Sequence, residues 1–272
     1  MRGESSFGVG DLSDFWRWAG FDGGSWIVER DAEAVAFAAC IYREDRVECW
    51  ATVHPGVAGR GVGAFLLERA EERARRLGRP VLTAGRLAEN DAARRLLEGL
   101  GFREARHFSQ MRITFHGAPE PPQWPDGIEL APFRPSDARD FHRVMNDAFA
   151  DEWGFHQLSF DEWRERRVEA PGTDTSLWFL ARAGSDVVGV VRCEANRDGG
   201  GWIGALGVVK PWRRRGVGLA LLRHAFREFH RRGEPHVGLG VDAQNPTGAT
   251  RLYEHAGMRV LKEDVIYEKG LA

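Results

Sequence analysis

Hydrophobic and polar positions along this 272-residue chain alternate between two periods, and the alternation runs through the same order twice. Stretches at 26–29, 35–42 and 47–53 are short, rich in β-branched and aromatic residues, and read as strands. A helical period follows at 64–77, then a strand at 81–84, a helix at 91–99 and a strand at 106–115. The order returns with strands at 177–183, 187–194 and 202–208. The next helix, 219–232, sets Leu221, Leu222, Ala225, Phe226 and Phe229 on one face, and Gly233 stops it. A strand at 236–241, a helix at 247–256 ended by Gly257, and a strand at 260–268 close the series. The second series also opens on extra elements: a strand at 128–133, a helix that Ser136 can cap, and a helical stretch at 159–168. Only 25 residues precede the first strand of the first series, so that copy reads as truncated at its start.

The repeat extends to individual residues. Gly61 and Gly216, each closing a glycine-bearing turn before a helix, are separated by 155 positions, and so are Asn90 and Asn245. A turn, a helix and an asparagine in one register mark a duplicated domain. Between the copies, Pro119, Pro121, Pro122 and Pro125 crowd one segment, which disfavours helix and sheet interior and suits a stiff connection. The division expected is 1–117, a proline-rich linker at 118–127, and 128–272.

Composition narrows the partners. A formal charge of −2 offers no overall attraction to nucleic acid or to an anionic membrane. The arginines at 73–76 alternate with acids and suit an exposed helix face. No apolar stretch approaches the roughly 20 residues a spanning helix needs. The opening Met1-Arg2-Gly3-Glu4-Ser5 lacks a secretory pattern. Cys40, Cys49 and Cys193 are scattered in apolar runs, which fits free thiols in a reducing cytoplasm, with no disulfide or metal framework.

A strand running through glycines into a helix presents first-turn amides that lack intrahelical partners, at the positive end of the helix dipole, and so favours an anion. Arg213, Arg214 and Arg215 add cations beside the second turn. A single such turn serves equally well as tight packing; its duplication favours a ligand. A nucleotide P-loop needs Lys-Ser/Thr after its last glycine, where Ala64 and Leu219 stand. A dinucleotide fold needs an acid ending the next strand, and 81–84 has none.

Arg213-Arg214-Arg215-Gly216-Val217-Gly218 after a strand resembles the acetyl-CoA pyrophosphate loop of the GNAT N-acetyltransferases. Asn245, Ala249, Leu252, Tyr253, Gly257 and Met258 resemble the same superfamily's C-terminal helix. The resemblance covers nearly the whole chain as a tandem pair. It implies an α/β protein of two GNAT-like domains, each a mixed central β-sheet flanked by helices, with strands splayed after Val208 to admit the pantetheine arm. Acetyl-CoA is then the co-substrate, without a metal. It would be held by Leu206, Gly207, Val208, Arg213 to Leu219, Asn245 and Ala249 in the second copy, and by Val53, Gly59, Arg60, Gly61, Val62 and Gly63 in the first.

The resemblance places the Tyr253 hydroxyl at the thioester sulfur, as the acid for the departing thiolate. Four residues before Gly101 the first copy has Leu97, and Ala58 stands where the second has Arg213. The second copy is therefore the expected catalyst and the first a scaffold that still holds a glycine turn. The strand at 202–208 carries no acid, which leaves Glu194, Asp242, Asp151, Glu152 and His156 as alternatives for the base. Asp151, Glu152 and Trp153 mix acid with aromatic surface, which suits a cationic acceptor and equally suits an amphipathic helix with Phe149 and Trp153 in the core. The acceptor is a small-molecule amine or a peptide N-terminus, transferred to directly in a ternary complex. A catalytically silent acyl-CoA-binding or interaction protein is the alternative.

Overall fold

The computed structural model describes residues 24–197, 199–245 and 247–271. In chain order the elements are β1 (Ser25–Arg30), β2 (Glu33–Tyr42), β3 (Arg46–Val53), α1 (Val62–Arg76), β4 (Val81–Leu87), α2 (Asp91–Gly99) and β5 (Arg103–Thr114). There follow β6 (Ile128–Pro132), α3 (Ala138–Phe149), the short α4 (Phe160–Trp163), β7 (Phe179–Ala183), β8 (Asp186–Arg197) and β9 (Gly200–Val208). The chain closes with α5 (Val217–Arg231), β10 (His236–Asp242), α6 (Ala249–His255) and β11 (Arg259–Gly270).

Two compact units result, the first built from two separate stretches of sequence and the second from one. Among the described residues one holds 24–109 together with 262–271, and the other is Gln110–Leu261. In the first unit β1, β2 and β3 form an antiparallel meander, β4 lies parallel to β3, and β11 pairs antiparallel with β4 from Val81↔Gly270 to Leu87↔Asp264. In the second, β6, β7, β8 and β9 are antiparallel and β10 lies parallel to β9. The last strand of the second series is thus paired within the first unit. Lys262 onward had been expected with the second copy; it packs instead with the first, where Val265, Tyr267 and Leu271 join Leu66, Leu82 and Leu97 in the core. Either pairing buries the same alternating face, so local pattern does not choose between them.

Helices seat as their apolar faces require. On α5, Leu221, Leu222, Phe226 and Phe229 bury against Val191, Ile203, Val237 and Leu239. Each such side chain contributes about 1.5–3 kcal/mol, which fixes where the helix begins. A second cluster, Phe133, Phe141, Trp163 and Trp178, fixes α3: the Phe141 ring lies 5.3 Å from Trp178 and 5.9 Å from Trp163. The N-cap of α3 is Asp137, not Ser136, and the Asp137 carboxylate accepts from the Arg134 backbone N–H at 2.9 Å. The proline-rich segment belongs to the second unit, where Arg227 donates to the Pro119 carbonyl at 3.0 Å and Arg223 pairs with Glu120. Among the described residues the first unit has no counterpart of β6 or α3; the expected truncated start concerns residues 1–23, outside the described residues. All three cysteines are free and buried. Among the described residues no helix is long and apolar enough to cross a membrane.

Candidate active site

In the second unit β9 keeps its ladder with β8 as far as Gly189↔Val208. Its ladder with β10 runs only through Val237↔Gly201 and Gly238↔Trp202. Beyond Trp202 the two parallel strands part, and the side of β9 carrying Leu206, Gly207 and Val208 is left without a strand partner. Unpaired strand edges bind extended groups that can complete the ladder. The first unit repeats the pattern: β2–β3 pairing reaches Ala36↔Val53, while β3–β4 pairing ends at Cys49↔Ala84.

Each parted strand leads through a short turn into a 15-residue helix whose N-cap is a left-handed glycine, Gly61 at φ 83° and Gly216 at φ 88°, with no side-chain cap. First-turn amides are therefore left open to an anion. A Cβ at Gly59 or Gly61 would meet nothing within 4 Å, so the turn is open to a ligand there. The last glycine of each motif has another task. A Cβ on Gly218 would lie 3.3 Å from Leu252, and one on Gly63 2.9 Å from Leu96. Gly63 and Gly218 let the long helix pack on the following one. Arg214 holds φ 59° at the position where the first copy has Gly59. An L-residue pays for that conformation.

The three arginines of the turn divide their work. Arg213 donates through Nε to the Val208 carbonyl at 3.1 Å and through Nη2 to the Ala148 carbonyl at 3.0 Å. It fastens the end of β9 to the end of α3. Arg214 and Arg215 are exposed, and Arg215 lies 4.9 Å over the Trp212 ring. These two are the cations the turn presents to solvent.

Behind the turn sit the candidates for proton transfer. Tyr253 is 8% exposed. Burial pushes its hydroxyl well above the ordinary phenol range and the Glu152 charge pushes it further, so it keeps its proton at neutral pH. Glu152 follows α3, its N–H bonded to the Phe149 carbonyl at 2.9 Å. Its Oε1 accepts from Asn245 Nδ2 at 2.9 Å. Burial raises the Glu152 carboxyl and the Asp242 charge raises it more, against the opposing Asn245 hydrogen bond and Arg213 charge. Asp242, buried at the end of β10, accepts from the Gln244 N–H at 2.9 Å.

Other candidate bases are placed differently. Glu194 is bonded by Arg192 and by Arg197, the latter at 3.2 Å; burial opposes ionisation there, yet the two guanidiniums hold the carboxyl below its usual range. Asp151 is exposed and paired with Lys210 at 2.7 Å. Trp153 and His156 are half-buried in the same loop as Glu152. Ala249 begins α6, two residues later than the helix expected from the sequence, because Asn245 is held in a turn by the Thr247 N–H at 2.8 Å and hydroxyl at 2.6 Å.

The first copy lacks this arrangement. Leu97 stands at the Tyr253 position, with Phe102 N–H bonded to its carbonyl as Met258 N–H is bonded to that of Tyr253, both at 3.0 Å. Leu97 is 3% exposed, a core residue. Asn90 accepts from the Ala93 N–H at 3.0 Å and caps α2, so the asparagine that reaches Glu152 in one copy serves its own helix in the other. Among the described residues no group of His, Cys, Asp or Glu could hold a metal ion.

Known proteins share both halves. The acetyltransferase (GNAT) family matches residues 4–102 and 139–258. Mycothiol acetyltransferase of Thermobispora bispora is 30% identical over 265 residues, covering 93% of this chain and 86% of that protein. A crystal structure of a GCN5-related N-acetyltransferase from Sphaerobacter thermophilus superposes with a TM-score of 0.82 at 33% identity, over 96% of this chain and 85% of the other. A tandem GNAT protein from the clavulanic acid biosynthesis pathway shares the fold at 16% identity, with a TM-score of 0.70 over 91% of this chain and 82% of the other.

Proposed function

The chain belongs to the acetyltransferase (GNAT) family, and on that premise we propose that it transfers acetyl from acetyl-CoA to a primary amine, with the chemistry in the second unit. The observation that carries the reading is the end of the β9–β10 ladder at Trp202, beside a helix N-terminus with open amides. The residues fit the co-substrate. Unpaired backbone at Leu206–Val208 suits the amide-bearing pantetheine arm, and the first-turn amides with Arg214 and Arg215 suit the pyrophosphate. Acetyl-CoA supplies an activated acyl group on a thiolate leaving group. Tyr253 donates a proton as that thiolate departs, and the amine attacks directly in a ternary complex. Leu97 can do neither proton transfer nor hydrogen bonding, which supports a scaffold role for the first unit.

The acceptor is a small-molecule amine. The relatives named mycothiol acetyltransferase make a cysteinyl amino-sugar the first compound to try, with a peptide α-amine as the alternative. Three buried free thiols fit a reducing cytoplasm. The test is CoA release and mass-spectrometric detection of the acetylated product, with glucosamine, cysteinyl-glucosamine and a short peptide as acceptors. Turnover that falls in Tyr253→Phe supports the reading. Tight acetyl-CoA binding with no product from any acceptor supports instead the silent acyl-CoA-binding protein.

A further inference from the structure

The strand that would carry an acid beside the reacting carbonyl, β9, has none: it reads Gly-Gly-Trp-Ile-Gly-Ala-Leu-Gly-Val. A protonated amine is not a nucleophile, so transfer needs a group that removes its proton. Several acids surround the opening between β9 and β10, and their partners sort them. Glu194 is held by two arginines and Asp151 by Lys210. Asp242 is buried and spends Oδ1 on the turn after its own strand. Glu152 differs. It is delivered by the end of α3, which packs closely on β9: a Cβ at Gly207 would lie 2.9 Å from that of Ala148. It then reaches Asn245, which follows β10, at 2.9 Å. One carboxylate therefore spans the ends of the two strands that part. Oε1 is engaged by Asn245, and Oε2 has no partner among the described residues.

Resting on the acetyltransferase reading, we propose that Glu152 is the base that takes the proton of the acceptor amine, and that Asn245 is its positioning residue. Glu152 Oε2 receives one proton from the ammonium, and the free amine forms its C–N bond to the thioester carbonyl carbon. Tyr253 gives its proton to the thiolate as the C–S bond breaks, and the second proton of the attacking nitrogen restores the phenol. The products are an amide, a CoA thiol and one proton, which Glu152 releases to solvent.

The groups facing Glu152 are Asn245 from the turn after β10, Asp242 at the end of that strand, Arg213 from the glycine turn and Tyr253 from α6. Neither Asp242 nor Arg213 lies between Glu152 and Asn245, so the pair is the unit to perturb.

The experiment measures kcat/KM for cysteinyl-glucosamine, from about pH 5.5 to about pH 9.5, in the full-length wild type, Glu152→Gln, Glu152→Asp and Asn245→Ala, with acetyl-CoA Kd by calorimetry. Glu152→Gln should lose about 10²–10⁴-fold near pH 6, the range for removal of a general base. The loss should shrink as pH rises and solvent supplies free amine, while acetyl-CoA Kd stays within about twofold. Semicarbazide, whose nitrogen is unprotonated throughout this range, should be acetylated by Glu152→Gln within about tenfold of wild type. Glu152→Asp should recover part of the rate, and Asn245→Ala should fall between. A Glu152→Gln enzyme with the wild-type rate and pH profile removes the base assignment and leaves the acetyltransferase reading intact. Equal losses at every pH and with both acceptors point to a structural role and overturn it. A wild type that binds acetyl-CoA and acetylates no acceptor retires the enzyme reading, and the base with it.

Discussion

Arg213 Nη2 donates to the Ala148 carbonyl at 3.0 Å, a hydrogen bond between residues 65 apart in the sequence. With its second bond to Val208, it locks the end of α3 to the end of β9. Arg213→Ala leaves both carbonyls short of a charged donor, at a cost of about 1–3 kcal/mol. The expected outcome is a lower thermal midpoint and a lower kcat, since Glu152 follows the loosened end of α3. Arg213→Lys should restore only part of the midpoint, because an ammonium cannot reproduce the forked geometry. Differential scanning calorimetry beside steady-state kinetics measures both.

Tyr253→Phe keeps the buried ring and deletes one oxygen. We expect kcat to fall about 10²–10⁴-fold with acetyl-CoA affinity nearly unchanged. Leu97→Met in the first unit should leave turnover at the wild-type level. Leu97→Ala should cost about 2–5 kcal/mol of stability, because that side chain fills a core rather than a site. Full activity in Tyr253→Phe would sink the assignment of the chemistry to the second unit.

Arg214 pays for a left-handed backbone that a glycine adopts freely. Arg214→Gly should raise stability by about 1 kcal/mol, or about 2–4 °C in the midpoint. It should also weaken acetyl-CoA binding by removing an exposed cation from the turn. A variant that gained stability and bound the co-substrate as before would show that Arg215 and the amides suffice.

Glu152 and Glu194 should respond oppositely to pH. Burial and the Asp242 charge raise Glu152, so the folded chain favours its protonated form. That contribution to stability is fully present below the ordinary glutamate value of about 4.3 and is lost as pH rises through the raised folded value. Glu152→Gln should therefore be more stable than wild type at neutral pH, with the gain vanishing in acid.

Glu194 is opposed by burial but held down by Arg192 and Arg197, so its contribution is present at neutral pH and lost as pH falls through the lowered value. Glu194→Gln should be less stable at neutral pH and should leave the acid limb of the rate profile unmoved. Thermal melts across pH check both signs.

The duplication, the sequence of strands and helices, and the two glycine turns were legible because each rests on local period and on a repeated register. Other features depend on packing that no local pattern specifies. Arg213 beside glycines reads as a phosphate ligand; that its Nε and Nη2 also serve carbonyls shows only in the three-dimensional approach of α3. Gly218 reads as part of the ligand turn; that it also gives the Leu252 side chain room shows only in the packing of the helices. Glu152 was one acid among several. What separates it is the asparagine 93 residues away that reaches it, and the arginines and lysine that reach Glu194 and Asp151. Asn90 and Asn245 share a register and differ in task, because α2 begins directly after one and α6 only at Ala249.

The placing of β11 in the first unit bears on how the molecule comes into being. The first unit takes its last strand from Lys262 onward, so it cannot close its core until almost the whole chain has left the ribosome. The unit synthesised first is the one that must wait. Cutting the gene within the proline-rich segment would not yield two domains: the upstream half would lack Val265, Tyr267 and Leu271, and the downstream half would carry them with nothing of their own core to join.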